Sequence, residues 1–238
     1  MRHVTTTKKE FAPVKPEELS IVLLNSTSGK ALKYPRCNAF FRDGETLLVK
    51  QVNIIKAIST KIDICVLTGE QNEDIYNNYN HSGLKVRYIE NERFFDTNEM
   101  RSLCLALRSI LNPNVLVIHG DTMFSHDSLF RMMNGESSLG IDSKKTLSEN
   151  KIGVIIDDGK VSTISYGLPD KWSQLAMFTG EELSQLKALA YNKAKWNWYI
   201  HESISHILHN NGSFKACETE ILEINNRNDI EKVNKCLK

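Results

Sequence analysis

Val115-Leu116-Val117-Ile118-His119-Gly120-Asp121 is the stretch that decides how this chain is read. Four apolar residues run into Gly-Asp, and a short apolar run closed by a turn signal reads as a buried parallel strand. In open α/β sheets, ligands bind just outside the carboxyl ends of such strands. Asp121 therefore stands where a carboxylate can hold Mg²⁺ on the phosphates of a nucleotide. Gly120 lets another backbone come close at that point. The same residues suit a plain turn whose aspartate caps Ser125 or the next helix, so the choice rests on the rest of the chain.

Outward from this run, strand and helix patterns alternate. Residues 21–24 are an apolar run followed by Asn-Ser-Thr-Ser-Gly, a strand and then a loop. Residues 47–57 carry helical spacing in Leu48, Val52 and Ile55. Residues 62–67 read as a second strand, 73–79 as a polar helix and 84–89 as a third strand. Residues 98–111 read as a helix with Thr97 as its N-cap and Arg101 exposed, and 114–119 as the fourth strand. Strands separated by helices predict parallel βαβ units.

The second half differs. Residues 138–141 and 152–156 are strand-like, Asp157-Asp158-Gly159-Lys160 is a hairpin turn, and 161–165 return. Residues 181–190 and 196–209 read as helices, the latter ended by Asn210-Asn211-Gly212. Residues 214–217 and 220–224 are short strands, and 229–238 a closing helix. The expected organisation is an extension over 1–18, with Pro13 and Pro16, and a single domain over 19–238. That domain divides at about residue 135 into a nucleotide half and an acceptor half.

Composition narrows the function. The chain has 238 residues, 41% of them hydrophobic, enough for a sizeable core. A net charge of +1 argues against nucleic acid and against a membrane surface as partners. The five cysteines are scattered without a Cys-x-x-Cys pair, which fits a reducing cytoplasm and argues against zinc. Residues 1–18 are too polar for a secretory signal, and no apolar stretch reaches membrane-spanning length.

The loop after the first strand is Asn25-Ser26-Thr27-Ser28-Gly29-Lys30-Ala31-Leu32-Lys33-Tyr34-Pro35-Arg36. Its small residues let backbone N–H groups face an anion, and Lys30, Lys33 and Arg36 can neutralise one. Neither the Walker pattern nor Gly-x-Gly-x-x-Gly is present. An ordinary surface connection has the same composition.

The order of strand, small-residue loop, Pro-cation and helix resembles the nucleotidyltransferases that join an NTP to a sugar phosphate or phosphocholine. Their signature is Ala-Ala-Gly-x-Gly-x-Arg-Leu followed by Pro-Lys-Ala-Leu. Residues 24–32 and Pro35-Arg36-Cys37-Asn38 occupy these places. Val66-Leu67-Thr68-Gly69 is similar to the family's Val-x-Thr-Gly. Residues 91–103 (NERFFDTNEMRSL) are similar to a segment of the phosphocholine cytidylyltransferase-like branch. Gly120-Asp121 matches the metal-binding Gly-Asp. Phe178-Thr179-Gly180-Glu181-Glu182-Leu183 resembles Phe-x-Gly-Glu-x-Leu, and residues 220–229 resemble the closing Trp-x-Glu-Ile-Asp segment. Thr27, Ala31, Arg36 and Asn225 depart from the pattern. Ala31 stands in place of an arginine, and Asn225 in place of a second metal-binding aspartate.

The resemblance implies a Rossmann-like three-layer α/β fold with a mixed, mostly parallel sheet. It implies a Mg²⁺-dependent transfer from an NTP, CTP by its branch, to a small phosphorylated acceptor. Lys30 and Arg36 would be catalytic. Asn25, Ser26, Gly29, Thr97, Asn98 and Ser102 would bind nucleotide, and Asp121 with Asn225 the metal. Glu181, Trp198, His201 and Glu202 would face the acceptor, and Trp172, Trp196, Trp198 and Tyr199 can cage a quaternary ammonium. A nucleotide-binding protein that has lost turnover is the alternative, supported by Ala31 and Asn225. A glycosyltransferase ranks last for want of an Asp-x-Asp motif.

Overall fold

The computed structural model describes residues 13–25, 35–69, 72–80, 85–144 and 151–236. Strands β1 (Leu19–Asn25), β2 (Asp63–Thr68), β3 (Arg87–Glu90) and β4 (Asn114–His119) lie parallel in the order β3-β2-β1-β4. Helices α1 (Leu47–Ile58), α2 (Asn72–Asn80) and α3 (Glu99–Leu107) connect them. Ile21 lies beside Leu116, and Val22 beside Val117. Side chains alternate across a strand. Ile21, Leu23, Leu116 and Ile118 therefore join Leu48, Val52 and Ile55 of α1 on one face. Val22, Val115 and Val117 join Leu103 and Leu107 of α3 on the other. Burying each such side chain contributes roughly 1.5–3 kcal/mol, which is why both faces carry helices and the layers number three.

The rest of the chain adds β5 (Thr122–Phe124), α4 (His126–Met132), β6 (Ser138–Asp142), β7 (Ile152–Asp157), β8 (Lys160–Tyr166), β9 (Asp170–Thr179), α5 (Gly180–Tyr191), α6 (Ile200–His209), β10 (Phe214–Glu218), β11 (Ile221–Glu223) and α7 (Arg227–Cys236). The main sheet runs β3-β2-β1-β4-β9-β6-β10-β8-β7, and β5 pairs with β11 in a small ribbon. The antiparallel pairings gather in the second half, where β9 runs against both β4 and β6. The sheet is thus mixed, as expected. The hairpin turn is as read: Asp158 at φ 46° and Gly159 at φ 73° are both left-handed, the signature of a two-residue hairpin turn. Among the described residues, no helix is long and apolar enough to cross a membrane.

Three expectations are corrected. The strand β9 was not anticipated, because Lys171, Ser173 and Gln174 interrupt its apolar pattern. Residues 196–199 precede α6 instead of forming its first turn. Thr97 does not cap α3, which starts at Glu99; its hydroxyl donates to the Arg93 carbonyl instead. The last two have one cause. The Trp196 and Trp198 carbonyls accept from Asn98 N at 2.9 Å and Met100 N at 3.2 Å. In return Glu99 Oε2 accepts from Ile200 N at 2.8 Å. The starts of α3 and α6 thus satisfy each other's orphan N–H groups.

Candidate active site

The site lies at the carboxyl ends of β1 and β4. Gly120 is needed where those strands converge. Its N–H donates to Leu24 O at 2.9 Å. A Cβ there would stand 1.6 Å from Asn25 Oδ1 and 2.6 Å from Leu24 O. From beneath, the buried Gln51 of α1 donates from Nε2 to Thr122 O at 2.8 Å, clamping the turn that carries Asp121. From the other side the Asp121 carbonyl accepts from Ile224 N at 2.8 Å. Asp121 is therefore fixed by α1, β4 and the end of β11. It does not cap α4, whose N-cap is Ser125.

Two clefts meet at this aspartate. One is lined by Asn25, Cys37, Asn98 and Gly120, the other by Lys151, Tyr166, Lys171, Trp172, Gln174 and His201. Both are bounded by Arg36, Glu99, His119, Asp121 and Tyr199. Arg36 ion-pairs with Asp121 Oδ2. The other oxygen, Oδ1, meets the Thr122 hydroxyl at 3.5 Å and no further donor among the described residues. Both polar atoms of the Asn25 side chain are buried without a partner among the described residues.

Glu223 forms the floor of the second cleft and ion-pairs with both Lys151 and Lys171. Burial works to raise its carboxyl, but the two lysines overcome that and hold it down at about 2. Asn225 donates from Nδ2 to Glu223 Oε2 at 3.3 Å, and its backbone N–H donates to Asp229 Oδ2 at 3.1 Å. His201 is buried, stacked on Tyr199 and edge-on to Tyr166. Burial lowers its pKa below the ordinary value despite Glu99 and Glu202 nearby, so the ring is neutral at pH 7.

The anticipated residues divide. Asn25, Arg36, Asn98, Asp121 and His201 come together in the two clefts. Ser26, Gly29 and Lys30, with Thr27 and Ala31, lie outside the described residues. Thr97 and Ser102 act behind the wall: Asn91 donates from Nδ2 to Thr97 Oγ1 at 3.2 Å and to Ser102 Oγ at 3.1 Å, and Ser102 is fully buried. Glu202 accepts from Tyr199 N at 2.7 Å and caps α6. With Trp198 it borders a neighbouring groove that shares Tyr166 and His201 with the second cleft. The structure does not bring Glu181 in. Thr179 pairs with Asn114 at the start of β4, so Glu181 lies by the opposite end of that strand from Asp121. Nor is the aromatic cage assembled. Arg101 covers the Trp196 ring at 4.1 Å and Lys195 covers Trp198 at 3.6 Å, while Trp172 and Tyr199 line the second cleft without them.

Sequence reasoning missed Gln51, Glu99, His119, Lys151, Lys171 and Gln174. Glu99 had a signal, since it lies within the segment 91–103 that carried the resemblance. Lys151 opens the segment 151–165, which is similar to the family's substrate hairpin, whereas Lys171 had no signal, because it meets Glu223 only through the fold.

No protein-family model matches the sequence, and no curated protein matches it. Its fold is that of the nucleotidyltransferases. CTP:phosphocholine cytidylyltransferase from Streptococcus pneumoniae superposes with a TM-score of 0.70 at 20% identity, covering 92% of this chain and 99% of its own. The inositol-1-phosphate CTP transferase from T. maritima gives 0.75 at 14% identity, covering 94% and 95%. A UDP-glucose pyrophosphorylase complexed with UDP-glucose gives 0.71 at 10% identity, covering 92% and 97%.

Proposed function

We propose that this chain is a nucleotidyltransferase that joins an NTP, CTP first, to a small phosphorylated acceptor. The observation that carries the reading is the Arg36–Asp121 pair at the junction of two clefts. The nucleotide occupies the cleft of Asn25 and Asn98, and the acceptor that of Lys171 and His201. An acceptor phosphate oxygen attacks the α-phosphorus, the α–β bridging P–O bond breaks, and pyrophosphate leaves with the electron pair. Such a transfer needs positioning and charge stabilisation, and no covalent enzyme intermediate. Arg36 reaches the transferring phosphorus from the junction and offsets its charge. The resemblance assigns the same role to Lys30 and the backbone of residues 26–30, which lie outside the described residues. Lys151 and Lys171 attract the acceptor's anionic group.

Mg²⁺ fits the donor set in one form. Among the described residues no three His, Cys, Asp or Glu side chains gather as a metal site. Among the described residues, however, Asp121 Oδ1 is uncommitted beyond its 3.5 Å contact with Thr122, and Mg²⁺ is commonly held by one or two carboxylates plus substrate phosphates. Asp121 would hold it, with Asn225 supplying a neutral oxygen. When bound, the ion neutralises phosphate charge.

The test is pyrophosphate release with each of CTP, UTP, GTP and ATP, Mg²⁺ and a panel of phosphorylated acceptors. Release that requires both substrates, fastest with CTP, is the expected result. Nucleotide binding without release under any pairing would favour the second reading, a binding protein without turnover, which Asn225 at the metal position supports.

A further inference from the structure

The strand β9 carries a distortion that faces the acceptor cleft. Leu139 of β6 pairs with Ala176 and Ile141 pairs with Trp172, so β9 has two more residues than β6 over this interval. The excess bulges at Ser173, Gln174 and Leu175. Gln174 lies at φ 64°, a left-handed conformation that side chains other than glycine seldom adopt within a strand. The surroundings hold it there. Ser173 Oγ accepts from Thr219 Oγ1 at 2.7 Å. Trp172 Nε1 donates to Leu175 O at 3.1 Å across the bulge. Gly140 opposite leaves the room, since a Cβ there would stand 2.3 Å from Ser173 Oγ. Backbone strain fixed from several sides gathers at ligand sites. Gln174 lines the cleft beside Lys171 and Trp172, and its Oε1 is buried with no hydrogen-bond partner among the described residues.

We infer that Gln174 reads the acceptor, selecting a phosphorylated molecule with an N–H or O–H donor over one whose nitrogen is fully methylated. This rests on the second cleft being the acceptor's. A buried amide oxygen that finds no donor in the protein is stabilised by a ligand that brings one. A trimethylammonium group brings none, so it leaves Oε1 unpaired and desolvated, and sites built for a hydrogen bond reject analogues lacking it. Lys151 and Lys171 take the acceptor's phosphate, and Gln174 takes the other end.

The test is calorimetric binding of phosphoethanolamine, phosphocholine and glycerol phosphate to the full chain, wild type, Gln174→Met and Gln174→Gly, with pyrophosphate release followed in parallel. Phosphoethanolamine and phosphocholine differ only in N-methylation, and glycerol phosphate separates a hydroxyl from an ammonium donor. Wild type is expected to bind at least one donor-bearing acceptor roughly tenfold more tightly than phosphocholine. Both variants lose that ratio and keep phosphocholine binding within about threefold. The glycine variant suits the left-handed backbone and keeps the test alive if methionine does not fold. Equal binding of all three acceptors by wild type, no binding of any, or an unchanged ratio in both variants would overturn the inference. Selective binding without pyrophosphate release would leave it standing and contradict the proposed reaction instead.

Discussion

Arg36 and Asp121 are 85 residues apart in the chain and ion-paired at the junction of the two clefts. The guanidinium fork can hold the carboxylate with one arm and offer the other to a phosphate, which a lysine's point charge does less well. Arg36→Ala is expected to lower kcat by about 10²–10³-fold, the usual loss for a group that stabilises developing charge. Arg36→Lys keeps the charge and stays within roughly tenfold of wild type. Steady-state pyrophosphate release measures both, and an alanine variant with wild-type kcat would remove Arg36 from the chemistry.

Gly120 is where the close approach of β1 and β4 is most intolerant. Gly120→Ala sets a Cβ 2.6 Å from the Leu24 carbonyl, a backbone atom that cannot swing away. Overpacking of this kind costs about 3 kcal/mol, which for a chain of this size lowers Tm by roughly 6–12 °C. A thermal melt with an unchanged midpoint would mean the strands part easily.

Glu223 gives the molecule an acid-sensitive tie. Its folded pKa is depressed to about 2 from an ordinary 4.5. The stability it contributes is therefore full above about 4.5 and is lost as pH falls toward 2. The size is ~3 kcal/mol. Glu223→Gln should flatten the pH dependence of urea unfolding in that window. It should also be less stable at neutral pH, because Lys151 and Lys171 lose their shared counter-charge. Parallel stability-versus-pH curves for the two proteins would show that Glu223 is not the titrating group.

Asn225 stands where a second carboxylate would strengthen a cation site. Asn225→Asp adds a charge beside Glu223, whose own carboxylate is committed to two lysines. Affinity for Mg²⁺ in the presence of CTP should rise roughly tenfold, since cation affinity follows ligand charge. A Mg²⁺ titration showing no gain would make Asn225 a part of the Glu223 cluster and not a ligand position.

The strands that carry the site were readable because they are buried on both faces. β1 and β4 carry unbroken apolar runs at their centres, residues 21–24 and 115–118, which announce them locally. β9 is also central, but Lys171 and Gln174 face the cleft and Ser173 braces the bulge, so its first half lacks the apolar signal that residues 175–178 carry. Residues 196–199 look helical by spacing; only the presence of α3 turns their carbonyls away to Asn98 and Met100. Asp121 and Arg36 were identifiable singly from a turn and a Pro-cation step. Their pairing, and the Lys151–Glu223–Lys171 cluster, arise from chain crossings that no local pattern encodes.

The most direct test of the central claim is calorimetric titration of CTP, UTP, GTP and ATP into wild type and Asp121→Ala, each with and without Mg²⁺. The account predicts selective, Mg²⁺-dependent binding, with CTP preferred, and loss of the Mg²⁺ dependence in the variant. Failure of every nucleotide to bind wild type would contradict it.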